Sequence, residues 1–142
     1  MSTQTQLTEP HCPVHPARIL LVEDNSTNRL LLLDYLTHIG YCVSSVVCGR
    51  DFLTALPQFK PHLVLLDIKL PDIDGYSLLQ QMRQNETWSK IPVVVVSACA
   101  FKSDQQRALG LGARRYLVKP IDLNALHHAI VEELRQIQSD RS

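Results

Sequence analysis

The chain has 142 residues, 45% of them hydrophobic and 20% charged, with 14 Lys and Arg against 14 Asp and Glu. That is most simply one globular domain with apolar residues enough for a real core, and its neutral balance excludes a basic footprint for nucleic acid or an anionic membrane. The longest apolar run, Ile91 to Phe101, is interrupted by Pro92 and Ser97 and falls short of the about 18 residues that span a bilayer.

Residues 1–17 are polar, carry three prolines and show no periodicity, and read as a flexible N-terminal tail. Within it His11, Cys12 and His15 are loosely metal-like, but no second cluster stands at zinc-finger spacing. No basic segment followed by an apolar one suggests a leader, so a cytoplasmic location is the expectation. The first predicted strand is Ile19–Val22, followed by Glu23, Asp24 and Asn25. Asn25 or Ser26 can cap a helix that runs to about His38 and stops at Gly40. A second strand spans Tyr41 to Val47, and a second helix spans Gly49 to Phe59, with Phe52, Leu53, Leu56 and Phe59 at helical spacing and Pro57 fraying its end.

The third strand, Leu63 to Leu66, ends at Asp67, and a loop punctuated by Pro71, Asp74 and Gly75 follows. A helix over Tyr76–Asn85 buries Leu78, Leu79 and Met82. The fourth strand, Val93–Val96, ends in Ser97 and leads to a helix over Ser103–Leu109, closed by Gly110 and Gly112. The fifth strand, Arg115–Val118, ends in Lys119 and Pro120, and a last helix covers Leu123–Ile137. Of the four cysteines, Cys42, Cys48 and Cys99 lie in or beside predicted strands, where a thiol packs as a small hydrophobe, so no disulfide framework is expected.

Strict alternation of strands and helices predicts a (βα)5 doubly wound α/β fold of the flavodoxin-like kind, a parallel sheet with helices on both faces. The first, third and fourth strands are almost purely aliphatic and belong inside, whereas the second and fifth carry Ser or Arg and suit the edges. The order 2-1-3-4-5 follows, with the switch point between strands one and three, so that Glu23, Asp24 and Asp67 converge on one crevice.

Three carboxylates in one crevice need a cation or raised pKa values. Mg²⁺ suits such a site, because it takes octahedral oxygen ligands and leaves positions for water and phosphate. Ser97 offers a hydroxyl and Lys119 a long-reaching ammonium at the same edge. A carboxylate so surrounded can attack a phosphoryl group in line, giving an acyl phosphate on Asp67. A phosphohydrolase of related chemistry wants a second acid two residues after its nucleophile, where this chain has Lys69. A flavin or nucleotide module wants a Gly- or Ser/Thr-rich loop where this chain has Glu23-Asp24-Asn25.

From Arg18 to about Gln138 these motifs, in this order and spacing, resemble the receiver domain of two-component response regulators, the CheY-like superfamily. Glu23-Asp24-Asn25 resembles the acidic pair, Asp67 to Gly75 the phospho-acceptor loop, Val96-Ser97-Ala98 the switch hydroxyl, and Lys119-Pro120 the lysine that contacts the phosphoryl group. Ala98 to Lys102 and Tyr116 further resemble small stand-alone regulators of the cell-polarity and differentiation type.

The resemblance implies Asp67 as phospho-acceptor and Asp24 and Asp67 as direct Mg²⁺ ligands, with Glu23 acting through water and Lys69 through its backbone carbonyl. It implies Ser97 and Lys119 as phosphoryl contacts, Tyr116 as the switch aromatic, and a cis bond before Pro120. It implies no enzyme activity beyond the domain's own phosphorylation and dephosphorylation. The donor it implies is a sensor histidine kinase or a histidine phosphotransfer protein. Output is then expected through protein partners or self-pairing at the face of the fourth helix, fifth strand and fifth helix, with Phe101, Lys102, Gln106, Arg115 and Tyr116 as candidates. The domain plan is a tail over 1–17, a receiver over 18–138 and a short C-terminal tail over 139–142, too short for an output domain. A receiver excised from a hybrid kinase and a phosphate-independent interaction module are the alternatives.

Overall fold

The computed structural model describes residues 16–141, with side chains as far as residue 136. The metal-like His11, Cys12 and His15, and all but the end of the predicted N-terminal tail, lie outside the described residues. The elements are β1 (Arg18–Val22), α1 (Ser26–Ile39), β2 (Cys42–Val46), α2 (Gly49–Phe59), β3 (Leu63–Asp67), α3 (Gly75–Gln84), β4 (Val93–Ser97), α4 (Lys102–Gly110), β5 (Arg115–Val118) and α5 (Leu123–Arg141).

All neighbouring strands pair in parallel, and the sheet order is β2-β1-β3-β4-β5, as the strand compositions predict. β3 and β4 are buried along their whole length, while every residue of the edge strand β5 is only half-buried. Alternation along the strands divides the core. Leu20, Val22, Val64 and Leu66 point to one face with Phe52 and Leu56 of α2, Leu78, Leu79 and Met82 of α3, and Ala108 of α4. Ile19, Leu21, Leu63 and Leu65 point to the other, with Leu32 and Leu36 of α1 and Leu126 and Ile130 of α5. Each fully buried Leu or Ile contributes about 1.5–3 kcal/mol, so these two layers hold the strand ends in register.

Local chemistry sets the helix boundaries. The Asn25 side chain accepts the Asn28 N–H at 2.9 Å, and Gly40, at φ 121°, takes the left-handed turn that ends α1. α2 has the expected bounds, without the fraying expected at Pro57. Its N-cap residue, Cys48, makes no side-chain cap bond, and Pro57 lies inside the helix, which continues to Phe59 before Lys60 turns left-handed at φ 53°. Proline's fixed φ fits a helix, and near the C-terminus its missing donor costs one bond without ending the element. A short 3-10 turn over Trp88–Lys90, set up by the Asn85 side chain accepting from Thr87 and Trp88 N–H groups, was not foreseen. α5 runs to Arg141, through the first three residues of the predicted C-terminal tail, since Ser139-Asp140-Arg141 contains no helix breaker. Cys48 and Cys99 are free thiols, whereas Cys42 is disulfide-bonded, one bridged position where no disulfide framework was expected. A single bridge asks only for two cysteines within reach and no framework.

Candidate functional site

The carboxyl ends of β1, β3, β4 and β5 share one edge of the sheet, and each delivers a polar side chain to it. β1 is followed by Glu23 and Asp24, β3 ends in Asp67, β4 ends in Ser97, and Lys119 follows β5. Glu23, Asp67 and Ser97 are buried, whereas Asp24 is exposed. Carboxylate oxygens of Glu23, Asp24 and Asp67 lie within 4.8 Å of one another. The switch point between β1 and β3 thus gathers the three acids as expected.

Lys119 reaches inward from the end of β5. Its Nζ lies 3.0 Å from Glu23 Oε1 and 3.1 Å from Asp67 Oδ2. Burial pulls the ammonium pKa down, but hydrogen bonds and charges from Glu23 and Asp67 outweigh it, and the net shift is upward. Glu23 is held above the usual carboxylate range, first by burial, against the Lys119 bond, with the neighbouring Asp67 adding to the rise. The two shifts meet in one cluster: Glu23 and Asp67 hold Lys119 charged, while burial and the neighbouring Asp67 raise Glu23 against the ammonium. Further oxygens are fixed by backbone. Asp67 Oδ1 accepts the Lys69 N–H at 3.0 Å, and Glu23 Oε2 accepts the Asn25 N–H at 3.2 Å.

Ser97 Oγ accepts the Cys99 N–H at 3.1 Å, and its carbonyl accepts the Lys119 N–H at 2.8 Å, so the β4 and β5 ends are locked together beside the acids. The Lys119–Pro120 bond is cis. Tyr116, half-buried on β5, packs against the core and donates its hydroxyl to the Cys99 carbonyl at 2.8 Å. The Lys69 side chain is exposed and makes no ion pair among the described residues. Of the output-face candidates, Phe101 is 73% exposed, while Arg115 is tied to Glu133 of α5 at 3.0 Å.

The donor set fits a hard divalent cation. Three carboxylates on one solvent-open crevice, carrying excess negative charge after Lys119 is counted, match the oxygen-only, partly hydrated coordination that Mg²⁺ prefers. Glu23, Asp24 and Asp67 are the residues that would hold it.

The model for the response regulator receiver domain matches residues 19–131, which takes in all of the five strands but Arg18 and the whole crevice. The chain belongs to that family. Among curated relatives, this receiver is 38% identical over 120 residues to the transcriptional regulatory protein GltR of Pseudomonas aeruginosa, covering 84% of the chain and 50% of GltR. It is 36% identical over 124 residues to the sensor histidine kinase RcsC of Salmonella typhi, covering 87% of the chain and 13% of RcsC. The chain therefore spans about half, or much less, of the length of these relatives. A solved receiver domain of a sensor histidine kinase from Pseudomonas aeruginosa, holding a magnesium ion in its active-site cleft, superposes with TM-score 0.77 at 29% identity, covering 84% of this chain and 98% of that one.

The receiver contains two connections that sequence reasoning missed. Asp104 of α4 accepts from Cys99 Sγ and, at 3.3 Å, from the Tyr76 hydroxyl, joining α3 and α4 to the loop below Tyr116. Asp72, in the loop after the acid of β3, accepts the N–H groups of Gly49 and Arg50 at the start of α2. The signal for the second was present: Cys48 is a poor cap, so α2 needed an acceptor from elsewhere.

Proposed function

We propose that Asp67 is the phospho-acceptor of this receiver, in a two-component or phosphorelay system, and that its crevice works with Mg²⁺. The observation that carries the reading is the Lys119 ammonium bridging Asp67 and Glu23 beside the exposed Asp24. When bound, Mg²⁺ would supply positive charge to the equatorial oxygens of the phosphoryl group in flight. Asp24 and Asp67 would hold it directly, with Glu23 through water and the Lys69 carbonyl completing the set. An Asp67 oxygen attacks phosphorus in line; the new P–O bond forms as the P–N bond of a phosphohistidine breaks, and the imidazole, already protonated on its other nitrogen, leaves neutral. Lys119 and the Ser97 hydroxyl then receive the charge on the transferred group.

The donor in this reading is a sensor histidine kinase or histidine phosphotransfer protein, which sets the domain in the cytoplasm. No helix among the described residues is long and apolar enough to cross a membrane. The functional unit is taken as residues 18–138, whether it acts alone or within a larger regulator or hybrid kinase. Its chemistry stops at its own phosphorylation and dephosphorylation. Output runs through the face of α4, β5 and α5 to a protein effector or a second copy, with Phe101 as the exposed anchor and no nucleic acid contacted by the domain itself.

The test is intact mass after incubation with Mg²⁺ and acetyl phosphate or phosphoramidate. The expected outcome is a gain of one phosphoryl group that mild base removes, abolished by Asp67→Asn and by chelation. No adduct on a Mg²⁺-loaded wild type would turn the reading to the phosphate-independent module.

A further inference from the structure

The loop after Asp67 is fastened at three places. At its start, the Lys69 N–H donates to Asp67 Oδ1 at 3.0 Å, so the acceptor carboxylate is oriented by the loop's own backbone. At its close, the Gly75 N–H donates to the Ile68 carbonyl at 2.9 Å. Between these, the Asp72 carboxylate reaches across to α2. Its Oδ1 accepts the Gly49 N–H at 2.7 Å and its own neighbour Ile73 N–H at 2.8 Å, and its Oδ2 accepts the Arg50 N–H at 2.9 Å.

These are the leading free N–H groups of a helix whose N-cap residue contributes no side-chain bond. Gly49 makes the approach possible, because a Cβ there would stand 2.8 Å from Ile73 Cβ. Backbone donors from Arg50 and Gly49 hold the Asp72 carboxyl down at about 2, so it is ionised at any pH where the protein works. A fixed anion at the positive end of a helix is a stable anchor.

We propose that Asp72 is a positioning residue for phosphoryl transfer, pinning the segment Lys69–Pro71 to the start of α2 and so keeping the Asp67 carboxylate and the Lys69 peptide in metal-binding orientation. The inference rests on the proposed Mg²⁺-dependent acceptor site. Partners that orient metal ligands from behind are worth about tenfold or more in metal affinity. Asp72 is such a partner acting through backbone.

The discriminating experiment separates the helix cap from the loop anchor. Asp72→Ala removes both. The double variant Asp72→Ala with Cys48→Ser returns a local cap to α2 but leaves the loop untied. Two quantities are measured on the full chain: Mg²⁺ affinity from calorimetric titration, and the phosphorylation rate by acetyl phosphate as a function of Mg²⁺. Asp72→Ala is expected to weaken Mg²⁺ about tenfold and to raise the Mg²⁺ concentration for half-maximal rate in parallel. In the double variant thermal stability should recover while the Mg²⁺ affinity does not. Asp72→Asn, which keeps one acceptor oxygen for Gly49 and Ile73, should fall between and covers the case of a poorly folded alanine variant. Wild-type Mg²⁺ affinity in Asp72→Ala, or its full recovery on adding Cys48→Ser, would overturn the inference and leave Asp72 a helix cap alone. A wild type that binds no Mg²⁺ would instead bring down the proposed function, and this inference with it.

Discussion

Glu23 is the residue at which the crevice's electrostatic conflict becomes measurable. It is almost fully buried, bonded to Lys119 and close to two other carboxylates, and burial together with Asp67 holds its pKa above the ordinary 4.5. A folded state that binds this proton more tightly than the unfolded chain loses stability as pH rises from the unfolded value through the folded one. Lys119 works in the opposite range: its raised pKa gives stability that is complete below 10.5 and is lost as pH rises past it. Urea midpoints of the metal-free protein should therefore fall as pH rises above 4.5 and fall again as it rises above 10.5. In Glu23→Gln the acidic limb should flatten. An unchanged acidic limb in that variant would assign the effect to other groups.

At the scale of elements, the turn from β3 into α3 is the tightest joint near the site. A Cβ at Gly75 would lie 2.6 Å from the Ile68 Cα and 2.7 Å from its carbonyl oxygen, so backbone itself would have to move. Gly75→Ala should cost roughly 2–3 kcal/mol in denaturant unfolding, as overpacking does in a core. Gly110→Ala, at the helical end of α4 where a Cβ meets nothing within 4 Å, should instead stabilise by about 0.4–1 kcal/mol and serves as the control. Equal effects at the two glycines would show that the close approach is not what matters. The same joint shows what a sequence can and cannot announce. Aliphatic runs ending in Asp67 and Ser97 declare buried parallel strands, and a carboxylate that ends such a strand must emerge at the edge shared by its neighbours. The five-strand order and the gathering of Glu23, Asp24 and Asp67 were legible on those grounds. That α2 needs an outside acceptor is legible in Cys48, but that Asp72 supplies it is not, because it joins positions far apart through a contact that only the packed loop creates. The half-buried pose of Tyr116 escaped for a related reason: its acceptor is the Cys99 backbone carbonyl, which every residue type supplies.

Across the whole molecule, the crevice trades stability for binding. Asp24 is exposed, but its oxygens lie within 4.8 Å of those of Glu23 and Asp67, and Lys119 bridges only the latter two. Unit charges near that separation repel by about 1 kcal/mol in a water-like medium, more where water is excluded. Asp24→Asn should therefore make the metal-free protein more stable by about 1 kcal/mol. If the crevice binds Mg²⁺ as proposed, the cation should reverse the account for the wild type, since a ligand of the folded state alone adds about 2.7 kcal/mol at a hundred times its dissociation constant. For a domain of this size that corresponds to a rise in melting temperature of roughly 10 °C. The variant, starting higher, should gain little, so the two melting curves should approach each other or cross as Mg²⁺ is added. Such a crossing is the signature of acids arranged for a cation and against the empty fold. Parallel curves, with Asp24→Asn responding to Mg²⁺ as the wild type does, would remove Asp24 from the coordination set and leave the crevice to Glu23 and Asp67.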